Sequence, residues 1–142
     1  MNIQDCLDKG ALAREKLDNE LIQKELSESD YDLDKATKAF EDEDYKWCIV
    51  KCYYCMFHAS KAVLFKLGLR EKKHFAISIV LDELYKKGLL ESRFVNDFKA
   101  AVSSREDADY HYTYSKEIAG YDLKICREFM EEMKRLVNDL KV

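Results

Sequence analysis

Residues 105–115 read REDADYHYTYS, and this stretch gathers residue types that do polar chemistry. His111 titrates near neutral pH, so it can take up and return a proton. Arg105 stays charged and offers a planar fork of donors to phosphate or carboxylate oxygens. Tyr110, Tyr112 and Tyr114 offer ring faces on which bases stack, each contact worth about 1–3 kcal/mol. Asp109 can orient a neighbouring side chain. Each residue also has a plainer use. Arg105 can pair with Asp107 or Asp109, or cap a helix end. His111 can be an exposed loop histidine, the tyrosines can seal helix ends, and Asp109 can support packing.

A second string, Cys48-x3-Cys52-x2-Cys55-x2-His58, has the look of a metal site. On a helix the three thiols share one face. Thiolate clusters sit mostly on loops that wrap the ion, whereas cysteine inside a helix behaves as a small buried hydrophobe. The expectation is core packing, with no metal ligands assigned, and His58 reads as a hydrogen-bonded structural histidine.

The elements that hold these residues read as helices. The chain has 142 residues, no proline and only four glycines, so little interrupts a helix and few turns of a β protein can be built. Apolar residues recurring at three- and four-residue steps predict helices over about 2–25, 44–67, 74–87, 91–106 and 115–140. Ser27 and Ser29 are N-cap candidates for a further helix running to Asp42. Gly68 and Gly88 are natural stops. His74 reads as a helix-start residue, and Tyr53 and Tyr54 as packing. Tyr110, Tyr112 and Tyr114 alternate with other residues, the period of an extended chain, so residues 107–115 are expected to leave the helix. The fold class is all-α: an antiparallel bundle with a four-helix up-and-down core plus extra helices.

Composition narrows the function. Hydrophobic residues at 47% and charged residues at 37% describe a globular chain, not a disordered one. No apolar run reaches membrane-spanning length, and the first twenty residues are too charged for a secretory signal, so the expectation is a cytoplasmic protein with five free thiols. A net charge of −4 argues against a protein that coats DNA. Residues 25–44 hold nine acidic side chains against Lys35 and Lys38. Residues 61–74 hold Lys61, Lys66, Arg70, Lys72 and Lys73 against Glu71 alone. Solvated helix faces are the ordinary reading of both runs.

Residues 44–67, DYKWCIVKCYYCMFHASKAVLFKL, resemble the HEPN family (higher eukaryote and prokaryote nucleotide-binding domains), in its branch of small stand-alone prokaryotic proteins. That branch favours Asp-Tyr, then Ala-Val, then Ala-Tyr-Tyr-Ala-x-Phe-His-Ala. Here those places hold Asp44-Tyr45, Cys48-Ile49 and Cys52-Tyr53-Tyr54-Cys55-Met56-Phe57-His58-Ala59, so each cysteine stands where the family has alanine. Lys87-Gly88-Leu89-Leu90 and Arg105-Glu106-Asp107-Ala108-Asp109-Tyr110 continue the likeness. Residues 27–142 form the resembling domain, and 1–26 an N-terminal helix outside it.

The resemblance implies a bundle that pairs as a homodimer. It implies either of two functions. One is metal-independent RNA cleavage through an Arg-x(4–6)-His motif, here Arg105-x5-His111, as the toxin half of a toxin–antitoxin pair with a minimal nucleotidyltransferase. The other is a non-catalytic subunit that binds such a transferase or a nucleotide. Neither needs a cofactor, a membrane or DNA. In some such pairs the transferase modifies a tyrosine two places after the motif histidine. That place is Thr113 here, between Tyr112 and Tyr114.

Overall fold

Helix α3, Tyr45–Lys66, is the axis of the molecule. Asp44 starts it by accepting a hydrogen bond from the Trp47 N–H at 3.1 Å. Its buried residues run from Cys48 to Phe65 on almost every side, so it needs partners all round. The computed structural model describes residues 1–141 and supplies them. Helices α2 (Asn19–Glu41), α5 (Ser92–Tyr110) and α6 (Lys116–Asp139) pack on α3 and complete an antiparallel four-helix core. Helices α1 (Ile3–Asp8) and α4 (Phe75–Lys86) are additions at its side, and the class is all-α as expected.

The α2–α3 contact is the most extensive in the fold. Small, fully buried residues let the neighbours of α3 close in: Ala36 of α2, and Cys48, Cys52, Cys55, Ala59 and Ser60 of α3, with Cys48 and Cys52 also meeting α6. Buried Ser29 donates to the Cys55 carbonyl at 2.8 Å and ties the two helices. All five cysteines are free and buried. Thiol neighbours and burial push Cys48, Cys52 and Cys126 well above the ordinary thiol range, so they stay protonated and pack as apolar groups.

Three expectations need correction. Residues 1–26 are not one helix. Gly10, at φ +75°, ends α1, and Leu12–Arg14 forms a short strand β1 paired antiparallel with β2, Leu69–Glu71. Glu15 extends this edge by accepting from the Arg70 guanidinium at 3.2 and 2.9 Å. The segment is part of the fold, since Cys6, Ala11 and Leu12 join the core. Second, α2 starts at Asp18, whose side chain caps Glu20 N–H at 2.9 Å, not at Ser27 or Ser29. Ser29 looked like a cap because its hydroxyl suits one, but it bonds across to α3 instead. Third, α5 continues to Tyr110. Buried Ala108 extends the apolar strip of Phe94, Val95, Phe98 and Ala101 by two more turns, and that packing outweighs the tyrosine alternation.

One buried charge works against the fold. Asp122 of α6 is 2% exposed, and among the described residues nothing donates a hydrogen bond to its Oδ2. Burial pushes its carboxyl up from 3.8 to about 7, with Ser104 offsetting only part of the effect. Between those values the unfolded chain gives up its proton and the folded chain keeps it, so stability falls as pH rises through this window and levels off above it. Asp122→Asn is therefore expected to stabilise at pH 8 by on the order of 1–3 kcal/mol. It should bring little change at pH 4. Melting curves of both proteins at the two pH values check this, and an equal difference at both would contradict it.

Candidate functional site

Arg105 lies on the strip of α5 that faces α3. Its guanidinium carbon sits 5.1 Å from the Tyr53 ring centre and 5.5 Å from that of Tyr54. The two rings meet edge to face, 5.1 Å apart. They form an aromatic seat that holds the cation by cation–π attraction. Asp109, one turn on, places Oδ2 3.2 Å from Arg105 Nε, but off the N–H direction. The contact is an ion pair without a hydrogen bond, so among the described residues the buried Nε has no acceptor. Of the two pairings open to Arg105, the structure selects Asp109 over Asp107.

The same seat borders a cleft of ≈ 270 Å³ between α3, α4 and α5. His74, Ser78 and Glu106 contribute its polar groups, and Phe75, Phe98 and Val102 its apolar wall. The Tyr53 hydroxyl lies 3.4 Å from His74 Nδ1, and the His74 ring packs 4.8 Å from Phe57. Burial pushes the Tyr53 phenol above its ordinary range, with Arg105 opposing, so the hydroxyl stays protonated. His74 does begin α4, as expected, yet it bonds no backbone group as a cap. Its side chain belongs to the cleft.

His111 ends α5 and is exposed. Its Nδ1 lies 3.1 Å from Asp107 Oδ1, so a carboxylate orients the ring. Among the described residues nothing bonds Nε2. Tyr112 follows in the left-handed region at φ 53°, which turns the chain so that the Thr113 N–H reaches the Asp107 carbonyl at 2.9 Å. Ser115 then caps α6 by accepting from Ile118 N–H at 3.2 Å. Tyr110 and Tyr112 are 67% and 78% exposed and Tyr114 45%, so none seals a helix end. Lys46 of α3 places its ammonium 5.9 Å from the Tyr112 ring.

Arg105 and His111 do not converge within one chain. At 3.6 residues per turn, the Arg105–Asp109 pair and the Asp107–His111 pair lie roughly 200° apart around α5. One faces α3 and the other faces solvent. What the chain presents is a seated arginine and, at the helix end, a carboxylate-oriented histidine among exposed tyrosines. The role of Tyr53 and Tyr54 as the seat of Arg105, and of His74 as its cleft neighbour, had no signal in the sequence, because these residues lie 31–52 positions from Arg105.

Comparison with known proteins agrees with this architecture. The chain is 32% identical over 105 residues to a UPF0332 protein of Archaeoglobus fulgidus, covering 72% of this chain and 84% of that protein. It is 26% identical over 117 residues to a protein of Methanocaldococcus jannaschii named as a candidate toxin, covering 80% of each. A second protein of that organism, also named as a candidate toxin, is 30% identical over 93 residues, covering 64% of this chain and 69% of the relative. The HEPN domain matches residues 22–139, from early α2 to the end of α6, and the chain belongs to the HEPN domain family.

Proposed function

We propose that this chain is the toxin half of a two-component pair with a small nucleotidyltransferase, and that its homodimer cuts RNA without a metal ion. The observation that carries the reading is the end of α5. There His111 is exposed and oriented by Asp107, in the same stretch as an Arg105 held by Tyr53, Tyr54 and Asp109. The relatives named as candidate toxins point the same way.

The chemistry follows from these groups. Histidine acting as general base takes the proton of a ribose 2′-hydroxyl, and the 2′-oxygen attacks the neighbouring phosphorus. The 5′-oxygen leaves with a proton supplied by a second histidine as general acid. The products are a 2′,3′-cyclic phosphate and a 5′-hydroxyl. Arginine holds the phosphate oxygens while negative charge builds on them. One chain supplies one of each residue, on divergent strips. A two-fold pair supplies two of each and lets the strips of different chains meet. Asp109 keeps Arg105 in place, and Tyr110, Tyr112 and Tyr114 offer stacking faces for the bases.

The same divergence favours a second reading, a non-catalytic subunit that holds the transferase or a nucleotide. Net acidity supports it as well, since RNA meets a chain of formal charge −4.

Three outcomes separate the readings. Under the first, purified protein cleaves RNA in the presence of a chelator, and His111→Ala or Arg105→Ala lowers the rate by on the order of 10²-fold or more. Undiminished cleavage by His111→Ala defeats the first reading, and no cleavage by the wild type beside a stable transferase complex selects the second. Light scattering is expected to give twice the 16.7 kDa chain mass. Tyr112→Ala should weaken RNA binding by about 1–3 kcal/mol without shifting the melting temperature, because its ring is exposed.

A further inference from the structure

A second polar constellation lies on the α2–α3 face. Glu25, Glu28 and Asp32 stand one turn apart along α2, and His58 of α3 faces them. One ligand atom each from Glu28, Asp32 and His58 lies within 4.8 Å of the other two. We propose that these three side chains bind one divalent transition-metal ion, of the zinc or manganese kind, that staples α2 to α3. The inference does not depend on RNA cleavage.

The argument begins with the histidine. Its Nδ1 lies 2.6 Å from Glu25 Oε2, a short charge-assisted hydrogen bond. In the neutral tautomer with its proton held there, Nε2 presents its lone pair. Nε2 faces Asp32 Oδ2 at 3.7 Å, too far for a hydrogen bond. A proton shared between the two would draw them to about 2.7–2.9 Å. Ligand atoms each about 2.0–2.2 Å from one zinc ion stand roughly 3–3.6 Å apart. The observed 3.7 Å is nearer to that range than to a shared proton, and seating an ion asks for a small inward shift.

Asp32 adds an independent observation. It is only 4% exposed, and its two oxygens face two different partners. Lys51 takes its Oδ1 at 3.2 Å, but among the described residues nothing donates to Oδ2, the oxygen aimed at His58. The lysines are spoken for elsewhere. Lys61 lies 3.4 Å from the outer oxygen of Glu25 and 3.3 Å from Glu71. Four carboxylates (Glu25, Glu28, Asp32, Glu71) thus meet two ammonium groups (Lys51, Lys61), which leaves two negative charges, the amount one divalent ion neutralises. Exposed Glu28 gives the ion a way in from solvent. Imidazole with carboxylates suits zinc or manganese, with water completing the coordination. The buried, protonated thiols do not compete.

The test titrates chelator-stripped protein with zinc chloride, and separately with manganese chloride, by calorimetry and thermal melting. At least one of the two is expected to bind at one ion per chain and to raise the melting temperature by roughly 5 °C or more at a hundredfold excess over Kd. Glu28→Gln, a change at an exposed position, should weaken binding at least tenfold, and His58→Gln more. Glu25→Gln touches no ion, yet freeing the ring should cost about 10–100-fold in affinity. Circular dichroism confirms that each variant is folded, and Glu28→Gln keeps the test decisive if His58→Gln is not. Binding left unchanged by Glu28→Gln, or no saturable binding of either ion at millimolar concentration, overturns the proposal.

Discussion

Helix α3 is buried on nearly every side, and the rest of the molecule is arranged to satisfy that one requirement. A helix with a single apolar stripe needs one partner, whereas one that is apolar all round must be enclosed. Its buried side chains run from large (Met56, Phe57, Phe65) to small (Ala59, Ser60, Ala62, and the cysteines at 48, 52 and 55). The small ones let neighbouring backbones approach closely, and α2 and α6 take those places. On another side Phe57 packs on His74, Phe98 of α5 packs on Tyr53, and Phe129 of α6 packs on Phe98.

The polar sites are consequences of this enclosure. No long strip of α3 is left to water, so its few polar side chains must work at helix–helix seams. At the α5 seam, Tyr53 and Tyr54 turn ring faces toward Arg105. At the α2 seam, His58 meets Glu25 and Asp32, and Lys51 and Lys61 hold their ammonium groups over aromatic rings and beside carboxylates. The axis that organises the core also sets both candidate sites, and each lies between α3 and a different partner.

The long helices were legible because a 3.6-residue apolar period survives any detail of packing, and glycines at 68 and 88 punctuate it. The cysteine string was legible as core, since a thiol inside a helix has few ways to wrap an ion. The N-terminal segment was not. ALAREKLDNE has good helix formers, and three residues of strand leave no period to read. Its pairing with Leu69–Glu71 spans more than fifty residues, and the energy that decides it lies in the partner. The end of α5 is decided in the same way: local alternation of tyrosines loses to the burial of Ala108.

The sequence by itself determined the all-helical class, the family, and the residues able to do chemistry near the end of α5, because these follow from residue type and local period. Tertiary structure alone decided that Arg105 rests on Tyr53 and Tyr54, that His111 points away from it, and that His58 faces three carboxylates of α2. Those facts depend on how the helices rotate against one another. Rotation is set by the summed packing of side chains distant in sequence, a quantity that no local spacing encodes.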